Sequence, residues 1–197
     1  MSTSAIKVIR FFADPLFPEW TGQSLQNVLT QQGFSFSVGG AGEKTHAIAF
    51  GLGAYQLFKE IESMPERFSR LILIAPELKT TQPISSMTAM MFGMLGASYI
   101  KKSAIQFRVN SQDAFLKNWK IKRAASVAPI SGSLTLAFNG LCVFGDKDDR
   151  VDAGVQENEI KRVAPAIKIE EIHGAKHDLM DTHTAKIVEM ILRELKN

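Results

Sequence analysis

The sequence predicts an α/β fold in which a mostly parallel sheet carries helices on both of its faces. Short apolar runs alternate with longer segments of helical periodicity along the 197 residues, a pattern typical of β-α-β units. Hydrophobic residues make up 45% of the chain and charged residues 22%, as in ordinary globular proteins. Because this length suffices for one sizeable core, we expect residues 1–197 to form a single domain.

Four strands and two helices are predicted in the first eighty residues. Residues 34–38 alternate Phe-Ser-Phe-Ser-Val, which indicates a half-buried or edge strand, whereas residues 70–75 (RLILIA) are apolar enough for a buried strand. The predicted strands are residues 6–13, 34–38, 46–50 and 70–75, and the predicted helices are residues 20–32 and 54–67.

Residues 79–132 contain no convincing strand and are predicted to form a helical cap inserted between two strands. Residues 85–100 are apolar almost all round, and residues 111–123 indicate a basic helix. Four methionines of this segment follow helical spacing: Met87, Met90, Met91 and Met94. They either pack into the core or form an adaptable wall over a pocket for an apolar ligand, since thioether chains fit irregular shapes.

The sheet is predicted to resume after the cap. Residues 141–144 (LCVF) form the next strand, and residues 167–172 alternate as the last one. Helices are predicted at residues 155–164 and 182–195. The second of these is amphipathic, with an inward face of Ile187, Met190, Ile191 and Leu195.

Three sharp turns follow predicted strands and carry the candidate chemistry. Residues 49–54 read Ala-Phe-Gly-Leu-Gly-Ala and lie between a buried strand and an amphipathic helix. Residues 145–151 (GDKDDRV) and 173–178 (HGAKHD) follow the last two strands and supply an acid and then a histidine. A carboxylate that accepts the N–H of a histidine fixes its tautomer and stabilises its charged form.

These motifs resemble those of the α/β-hydrolase superfamily, whose triad runs in the order nucleophile, acid, histidine. AFGLGA resembles the Gly-x-Ser-x-Gly-Ala nucleophile elbow, GDKDDRV the Gly-x-x-Asp-x-x-Val acid loop, and HGAKHDL the loop of the catalytic histidine. The resemblance implies that Asp148 is the acid, that His177 is the base and that residues 79–132 are the variable cap.

Two departures from the family pattern affect the nucleophile and the oxyanion loop together. Gly51 stands where the nucleophile belongs, and Phe12-Ala13-Asp14 replaces the His-Gly dipeptide that often follows the first strand in the family. The resemblance therefore places Ala13 and Asp14 at the oxyanion side of the pocket. The backbone N–H of Leu52 can still point into that pocket, because the turn supplies it.

Alternatives remain for the titratable residues. Asp148 could cap the following helix, and Asp146, Asp149 and Asp152 compete with it for the role of acid; His177 could be an ordinary loop histidine. The other histidines are interpreted structurally: His173 ends its strand, and His46 and His183 lie at the surface or at helix ends. Cys142, in the middle of a strand, is predicted to be a buried and inert thiol.

Several classes of site and location find no support in the sequence. The Gly-rich segment at 39–45 departs from the phosphate-loop pattern, Arg150 interrupts a calcium-loop pattern, and no Cys–His cluster indicates zinc, so we expect neither a metal nor a cofactor. The single cysteine, the lack of a membrane-length apolar run and the absence of a signal-like N-terminus favour the cytoplasm.

Three functional hypotheses follow, and the residues leave open whether the protein is an enzyme. The first is a non-hydrolytic module that binds a small apolar or acyl-type molecule, or a protein, on a degenerate hydrolase scaffold. The second is an active esterase- or lyase-like enzyme that uses Asp148 and His177, or a serine if Gly51 is an engineered change. The third, ranked last, is binding of nucleic acid or an acidic partner by the basic residues of 101–123, which more simply form a solvated helix face.

Overall fold

The computed structural model describes residues 7–14, 22–37, 44–80, 112–131 and 138–196. The strands are β1 (Val8–Phe12), β2 (Ser35–Ser37), β3 (Thr45–Phe50), β4 (Phe68–Ile74), β5 (Asn139–Gly145) and β6 (Ile167–Ile172). The helices are α1 (Gln23–Gln31), α2 (Gly53–Ser63), α3 (Gln112–Val127), α4 (Ala153–Val163), α5 (Leu179–Thr182) and α6 (Thr184–Lys196), with a 3₁₀ turn at Pro65–Arg67.

The six strands form one sheet in the order β2-β1-β3-β4-β5-β6, and every neighbouring pair is parallel. The predicted parallel sheet is therefore confirmed. The alternating segment at 34–38 contributes the strand β2, which lies at one end of this order, as its half-buried pattern predicted.

Helices cover both faces of the sheet because alternate residues of each central strand point to opposite sides. On one side, Ala49, Leu73 and Phe144 pack in a core shared with α2, α3 and α4. On the other side, Ile48 and Ile72 pack in a second core shared with α1, α5 and α6. All six residues of β3 are buried, which explains why residues 47–50 are continuously apolar rather than alternating.

Several helix boundaries differ from the sequence prediction, and two of the differences have a local explanation. The helix α2 ends at Ser63 rather than at residue 67, because Met64, which precedes Pro65, leaves the helical conformation with φ −146° and ψ 63°. Pro65 then begins the 3₁₀ turn. The closing helix begins at Thr184 and follows a separate short helix, α5, with His183 as the cap between them. The placement of His183 at a helix end agrees with its interpretation from the sequence.

The interpretation of His46 was wrong. This residue is not at the surface but in β3, where it is 4% exposed. The segment HAIAF was itself predicted to be buried, and a central parallel strand is covered on both faces, so a polar side chain within it is enclosed as well.

The predicted cap lies only partly within the described residues. Its helix α3 runs four residues beyond the predicted end, to Val127, and contributes Ala125 to the core. The Tyr55 hydroxyl donates to the Ala128 carbonyl at 2.8 Å and ties the end of α3 to α2. The four methionines, together with residues 81–111, lie outside the described residues, so the extent of the cap stays a prediction. None of the described helices combines the length and the apolar character that crossing a bilayer requires.

Candidate active site

The order of the strands creates a topological switch point between β1 and β3, and the region outside the carboxyl ends of these two strands is called the crevice below. The chain moves from β1 outward to β2 and then returns to β3 on the other side of β1, so the direction of winding reverses between these strands. Ligands of open parallel sheets bind at such a switch point, outside the carboxyl ends of the strands. The residues that follow β1 and β3 there are Asp14 and the turn Gly51-Leu52.

The turn after β3 has the backbone of a nucleophile elbow. Gly51 adopts φ +55°, a conformation that residues with side chains rarely take, and its N–H donates to the Ile74 carbonyl at 3.1 Å. A Cβ on Gly53 would lie 2.1 Å from the Phe12 carbonyl oxygen. The small residue two positions after Gly51 is therefore required, because β1 and the first turn of α2 approach too closely for a side chain.

The carboxylate of Asp14 occupies the space beside Gly51 that a nucleophilic side chain would need. A Cβ built on Gly51 would lie 2.4 Å from Asp14 Oδ2 and 2.9 Å from Asp14 Cβ, distances at which something must move. Asp14 is 3% exposed. The sequence placed both residues at the pocket, but their contact joins positions far apart in the chain and was not foreseen.

Two N–H donors hold the Asp14 carboxylate. The backbone N–H of Leu52 donates to Oδ2 at 3.0 Å, and the side-chain amide of Asn118 donates to Oδ1 at 2.9 Å. The Leu52 N–H belongs to the residue after the nucleophile position, which in this kind of elbow stabilises the oxyanion. In this structure an internal carboxylate accepts it, and the role of Leu52 in a pocket stays a prediction. Ala13, the other predicted oxyanion-loop residue, is exposed.

Asp148 and His177 lie side by side at the ends of β5 and β6. Asp148 Oδ2 is 2.8 Å from His177 Nδ1, and the two side chains are 1% and 7% exposed. Asp148 Oδ1 accepts the backbone N–H groups of Arg150 and Val151, at 2.9 and 3.1 Å. The His177 ring also packs against Phe50, with ring centroids 5.2 Å apart. This is the arrangement in which a carboxylate orients an imidazole.

Electrostatics favour the ionised form of Asp148. Burial acts to raise the pKa of its carboxyl, but the hydrogen bond and charge of His177 and the N–H donors of Arg150 and Val151 outweigh that effect, so the pKa lies below its ordinary value. Asp148 is therefore a carboxylate at neutral pH.

Two of the neighbouring acids, Asp152 and Asp146, have other partners. Asp152 caps α4 by accepting the Val155 N–H at 3.1 Å. Asp146 pairs with His173, whose side chain is 94% exposed, at 2.6 Å. Of the acids that the sequence left in competition, Asp148 is the one in contact with His177. Its catalytic role, like that of His177, stays a prediction.

A second carboxyl, Glu77, was missed by the sequence reasoning. Its backbone N–H donates to the Gly51 carbonyl at 2.9 Å, and its side chain lies 3.3 Å from the Lys122 ammonium. Burial raises the pKa of Glu77 above its usual value; the Asp14 charge raises it further, while Lys122 and His177 act in the opposite direction. Glu77 comes three residues after β4, at the same sheet edge as the other site residues, and that position was the available signal.

One face of α3 supplies partners to both carboxyls, that of Asp14 and that of Glu77. Asn118 contacts Asp14, and Lys122, one helical turn later, contacts Glu77. Asn118 is 4% exposed, whereas Lys117, Lys120 and Arg123 are exposed. The basic helix is therefore more than a solvated face, because one of its lysines is an ion-pair partner at the crevice.

The remaining candidate groups add no further chemistry to the crevice. Cys142 lies in the middle of β5 and is fully buried, and burial, together with the charge of Glu157, raises the pKa of its thiol well above the usual value. Among the described residues, no group of three or more His, Cys, Asp or Glu side chains is arranged to hold a metal ion.

Comparison with known proteins finds likeness in structure rather than in sequence. No family model matches the chain, and no curated protein matches it. A thermophilic esterase from Thermogutta terrifontis superposes with a TM-score of 0.69 at 12% identity, over 99% of this chain and 92% of the esterase. An enol-lactonase from Burkholderia xenovorans gives 0.69 at 12% identity, over 100% and 94%. A mutant epoxide hydrolase from Solanum tuberosum gives 0.69 at 13% identity, over 98% and 93%. At such low identity, this likeness shows the fold and leaves the activity open.

Proposed function

We propose that this protein, which has the α/β-hydrolase fold, does not hydrolyse esters through an acyl-enzyme but binds a small organic molecule at the crevice between β1 and β3. The observation that carries the proposal is the contact between Asp14 and the elbow. Asp14 Oδ2 accepts the Leu52 N–H and lies 2.4 Å from the place where a side chain at position 51 would begin.

Serine-type acyl transfer requires space for the nucleophile and a free oxyanion donor at this elbow, and Asp14 occupies both. The nucleophile needs room for its Cβ and oxygen, and the tetrahedral intermediate needs the N–H of the following residue as an oxyanion donor. A negatively charged oxygen already accepts that N–H. A substrate carbonyl would have to displace a carboxylate that Asn118 also holds.

Gly51 and Asp14 fit each other, which favours Gly51 as the natural residue rather than an engineered change. A serine at position 51 would need Asp14 to leave the place in which two donors hold it. Had a serine been replaced by glycine alone, the space beside position 51 would be expected to remain empty, not to hold a bonded carboxylate.

The test compares the parent with Gly51→Ser and with the double variant Asp14→Gly/Gly51→Ser. Each is treated with a fluorophosphonate probe and assayed with p-nitrophenyl acetate. We expect the parent and Gly51→Ser neither to react with the probe nor to hydrolyse the ester. The double variant should react with the probe and should hydrolyse the ester in a way that depends on His177. Ester turnover by the parent that His177→Ala abolishes would contradict the proposal.

Binding is tested separately by thermal shift with a panel of small esters, lactones, carboxylic acids and alcohols. A ligand at about 100 times its Kd stabilises the native state by about 2.7 kcal/mol, which is readily measured. Asp14→Asn should change the response to a ligand bound in the crevice. The matched control Asp152→Asn, which keeps a capping side chain on α4, should leave it unchanged.

A second candidate function is catalysis in which His177 acts as a general base on water or on a bound substrate. The observation that favours it is the contact of 2.8 Å between His177 Nδ1 and a buried Asp148 that two backbone N–H groups also hold. General-base catalysis contributes about 100- to 10,000-fold to the rate. His177→Gln should therefore lower any turnover found with the parent by about 100-fold or more. His173→Gln, which removes an exposed histidine, should leave that turnover unchanged.

A further inference from the structure

We infer that the helix α4 positions α3 against the crevice, and that Gln156 and Arg162 are the positioning residues. The inserted segment, residues 78–131, leaves the sheet after β4 and returns before β5, and it carries α3. The backbone at each end of this segment is hydrogen-bonded to one of these two α4 side chains. The inference rests on the proposed function in one respect, since it takes the crevice to be the binding site.

Gln156 holds the first end of the inserted segment. Its Oε1 accepts the backbone N–H groups of Leu78 and Lys79, at 2.8 and 3.0 Å, and its Nε2 donates to the Lys79 carbonyl at 2.6 Å. Gln156 is 1% exposed, so breaking these bonds would leave a buried amide unpaired, which is costly. The preceding residue, Glu77, donates its N–H to the Gly51 carbonyl. The chain is therefore fixed from the elbow to the start of the segment.

Arg162 holds the second end of the inserted segment. Its guanidinium donates to the carbonyls of Ile130 and Ser131, both at 3.2 Å, and also to the Glu159 carboxylate. A planar guanidinium can bond two acceptors at once in a fixed geometry. The Ser131 N–H donates to Glu62 of α2 at 2.6 Å, and Ile130 is buried in the core. Both ends of the segment are thus attached to the helices of one face of the sheet.

The packing of α3 alone fixes its position weakly. Of its side chains at positions 117–126, those of Asn118 and Ala125 are buried, and the others are half-buried or exposed. Asn118 is polar, and Ala125 has one methyl group to pack. Hydrogen bonds tolerate changes of only a few tenths of an Å in distance. The contacts of α3 with Asp14 and Glu77 therefore depend on how the ends of the segment are held.

The helix α4 is also joined to the other half of the candidate site. Asp148 accepts the Val151 N–H at 3.1 Å, and α4 begins at Ala153, directly after its capping residue. One helix is thus attached at its start to the loop of the acid and along its length to the segment that carries α3. Its position sets that of Asn118 relative to His177.

Trp119, next to Asn118 in α3, reports the position of this helix. The chain has two tryptophans, so Trp20→Phe leaves Trp119 as the one fluorophore of its kind in the full chain. In this background we expect Gln156→Met to raise the acrylamide quenching constant about twofold, because α3 opens locally once the end of the segment is released. Gln156→Glu, whose carboxylate still accepts both N–H groups, should restore most of the parent value.

Hydrogen exchange followed by NMR supplies a second readout, at the crevice itself. The Leu78 amide should exchange about 10-fold faster in Gln156→Met, the order expected for loss of one hydrogen bond. The Leu52 amide should also exchange several-fold faster, because α3 no longer orients the Asp14 carboxylate that accepts it. A purely local role of Gln156 would affect the Leu78 amide alone. An unchanged Leu52 amide, or unchanged quenching of Trp119, would overturn the inference.

Two further variants separate positioning from overall stability. Ile187→Val removes one carbon from the core on the opposite face of the sheet and should leave the quenching constant at the parent value. An equal rise in that variant would overturn the inference. Arg162→Gln alters the other end of the segment, where the side chain is 35% exposed, and should raise the quenching constant as Gln156→Met does. If Gln156→Met does not fold, Arg162→Gln decides alone, and no rise overturns the inference.

These measurements use no ligand and no ester. The absence of serine-type hydrolysis is judged by p-nitrophenyl acetate, and binding at the crevice is judged by thermal shift. Failure of either proposal therefore leaves the positioning role of α4 standing, and failure of the positioning role leaves both proposals standing.

Discussion

The backbone N–H of Leu52 donates a hydrogen bond of 3.0 Å to the side-chain carboxylate of Asp14, a residue 38 positions earlier in the chain. This one contact joins the two departures from the hydrolase pattern, the glycine at the elbow and the altered loop after β1. The Leu52 N–H, which in an active hydrolase would be available to a reacting oxygen, already binds the Asp14 carboxylate. The crevice is therefore preorganised around Asp14 rather than around an acyl group.

Gly51→Ala is expected to destabilise the fold by about 2–4 kcal/mol, because the left-handed backbone and the close approach of Asp14 both penalise a Cβ. The matched control is Gly174→Ala, where φ is +77° but nothing lies within 4 Å of the added carbon. The control should cost only the backbone strain, about 1 kcal/mol. Urea unfolding of both variants measures the difference, and equal losses would show that Asp14 does not crowd position 51.

The Asp14→Gly background should relieve that crowding. In a double-mutant cycle, Gly51→Ala should cost less when Asp14 is absent, with a coupling free energy of about 0.5–3 kcal/mol. Additive losses in the cycle would mean that the two positions do not interact.

Asp148→Asn should lower the stability at neutral pH by about 1.5–3 kcal/mol, because it replaces a charged acceptor of three hydrogen bonds. The folded-state pKa of Asp148 is depressed below its ordinary value of 3.8. Its ionised form therefore contributes stability above that value, and the contribution is lost as the pH falls through the folded-state pKa. The gap between the parent and the variant should narrow below about pH 4 in denaturant titrations. A gap that stays constant with pH would contradict this assignment.

Glu77→Gln should increase the stability of the protein at neutral pH, because burial disfavours the charged carboxylate and an amide carries no charge. The pKa of Glu77 is raised in the folded state, so the parent loses stability as the pH rises from the ordinary value of 4.5 through the folded-state pKa. The amide avoids that loss and can still accept a hydrogen bond from Lys122. Thermal unfolding across this pH range is the measurement, with the exposed Glu66→Gln as a control. A lower melting temperature for Glu77→Gln at neutral pH would show that the ion pair with Lys122 outweighs the burial.

Cys142 should resist a disulfide-exchange reagent in the native state. Its thiol is fully buried in β5 and its pKa is raised well above the usual value, so little thiolate forms and little of it is accessible. Labelling should become complete on unfolding, at a rate set by the opening of the sheet. Rapid stoichiometric labelling of the folded protein would contradict the prediction.

The sequence was informative where a single segment determines the outcome. Strands such as β4 and β6 were located because a continuous or alternating apolar pattern reports burial directly. The pairing of Asp148 with His177 was implied by the resemblance of two loops to the acid and histidine motifs of the family, and the structure shows the contact.

The sequence was uninformative where the outcome depends on residues distant in the chain. The carboxylate that fills the elbow comes from a loop 38 residues away, and its second donor, Asn118, lies 104 residues from it. Nothing in the local pattern around Asn118 marks it as a partner of Asp14. His46 was predicted at the surface because histidine is polar, whereas its burial is set by the central strand that contains it.

The all-parallel sheet has a consequence for how the crevice comes into being. Parallel neighbours cannot be joined by a tight hairpin, so each strand pair forms only after a long crossover has closed, and such non-local contacts form slowly. The loops that bear Asp14, Leu52, Asp148 and His177 each follow a different strand, so they meet only when the central strands have assembled. A ligand of this crevice would therefore bind the fully assembled sheet and none of its partly folded precursors. The rate at which binding recovers during refolding would then report the rate of the final step of assembly.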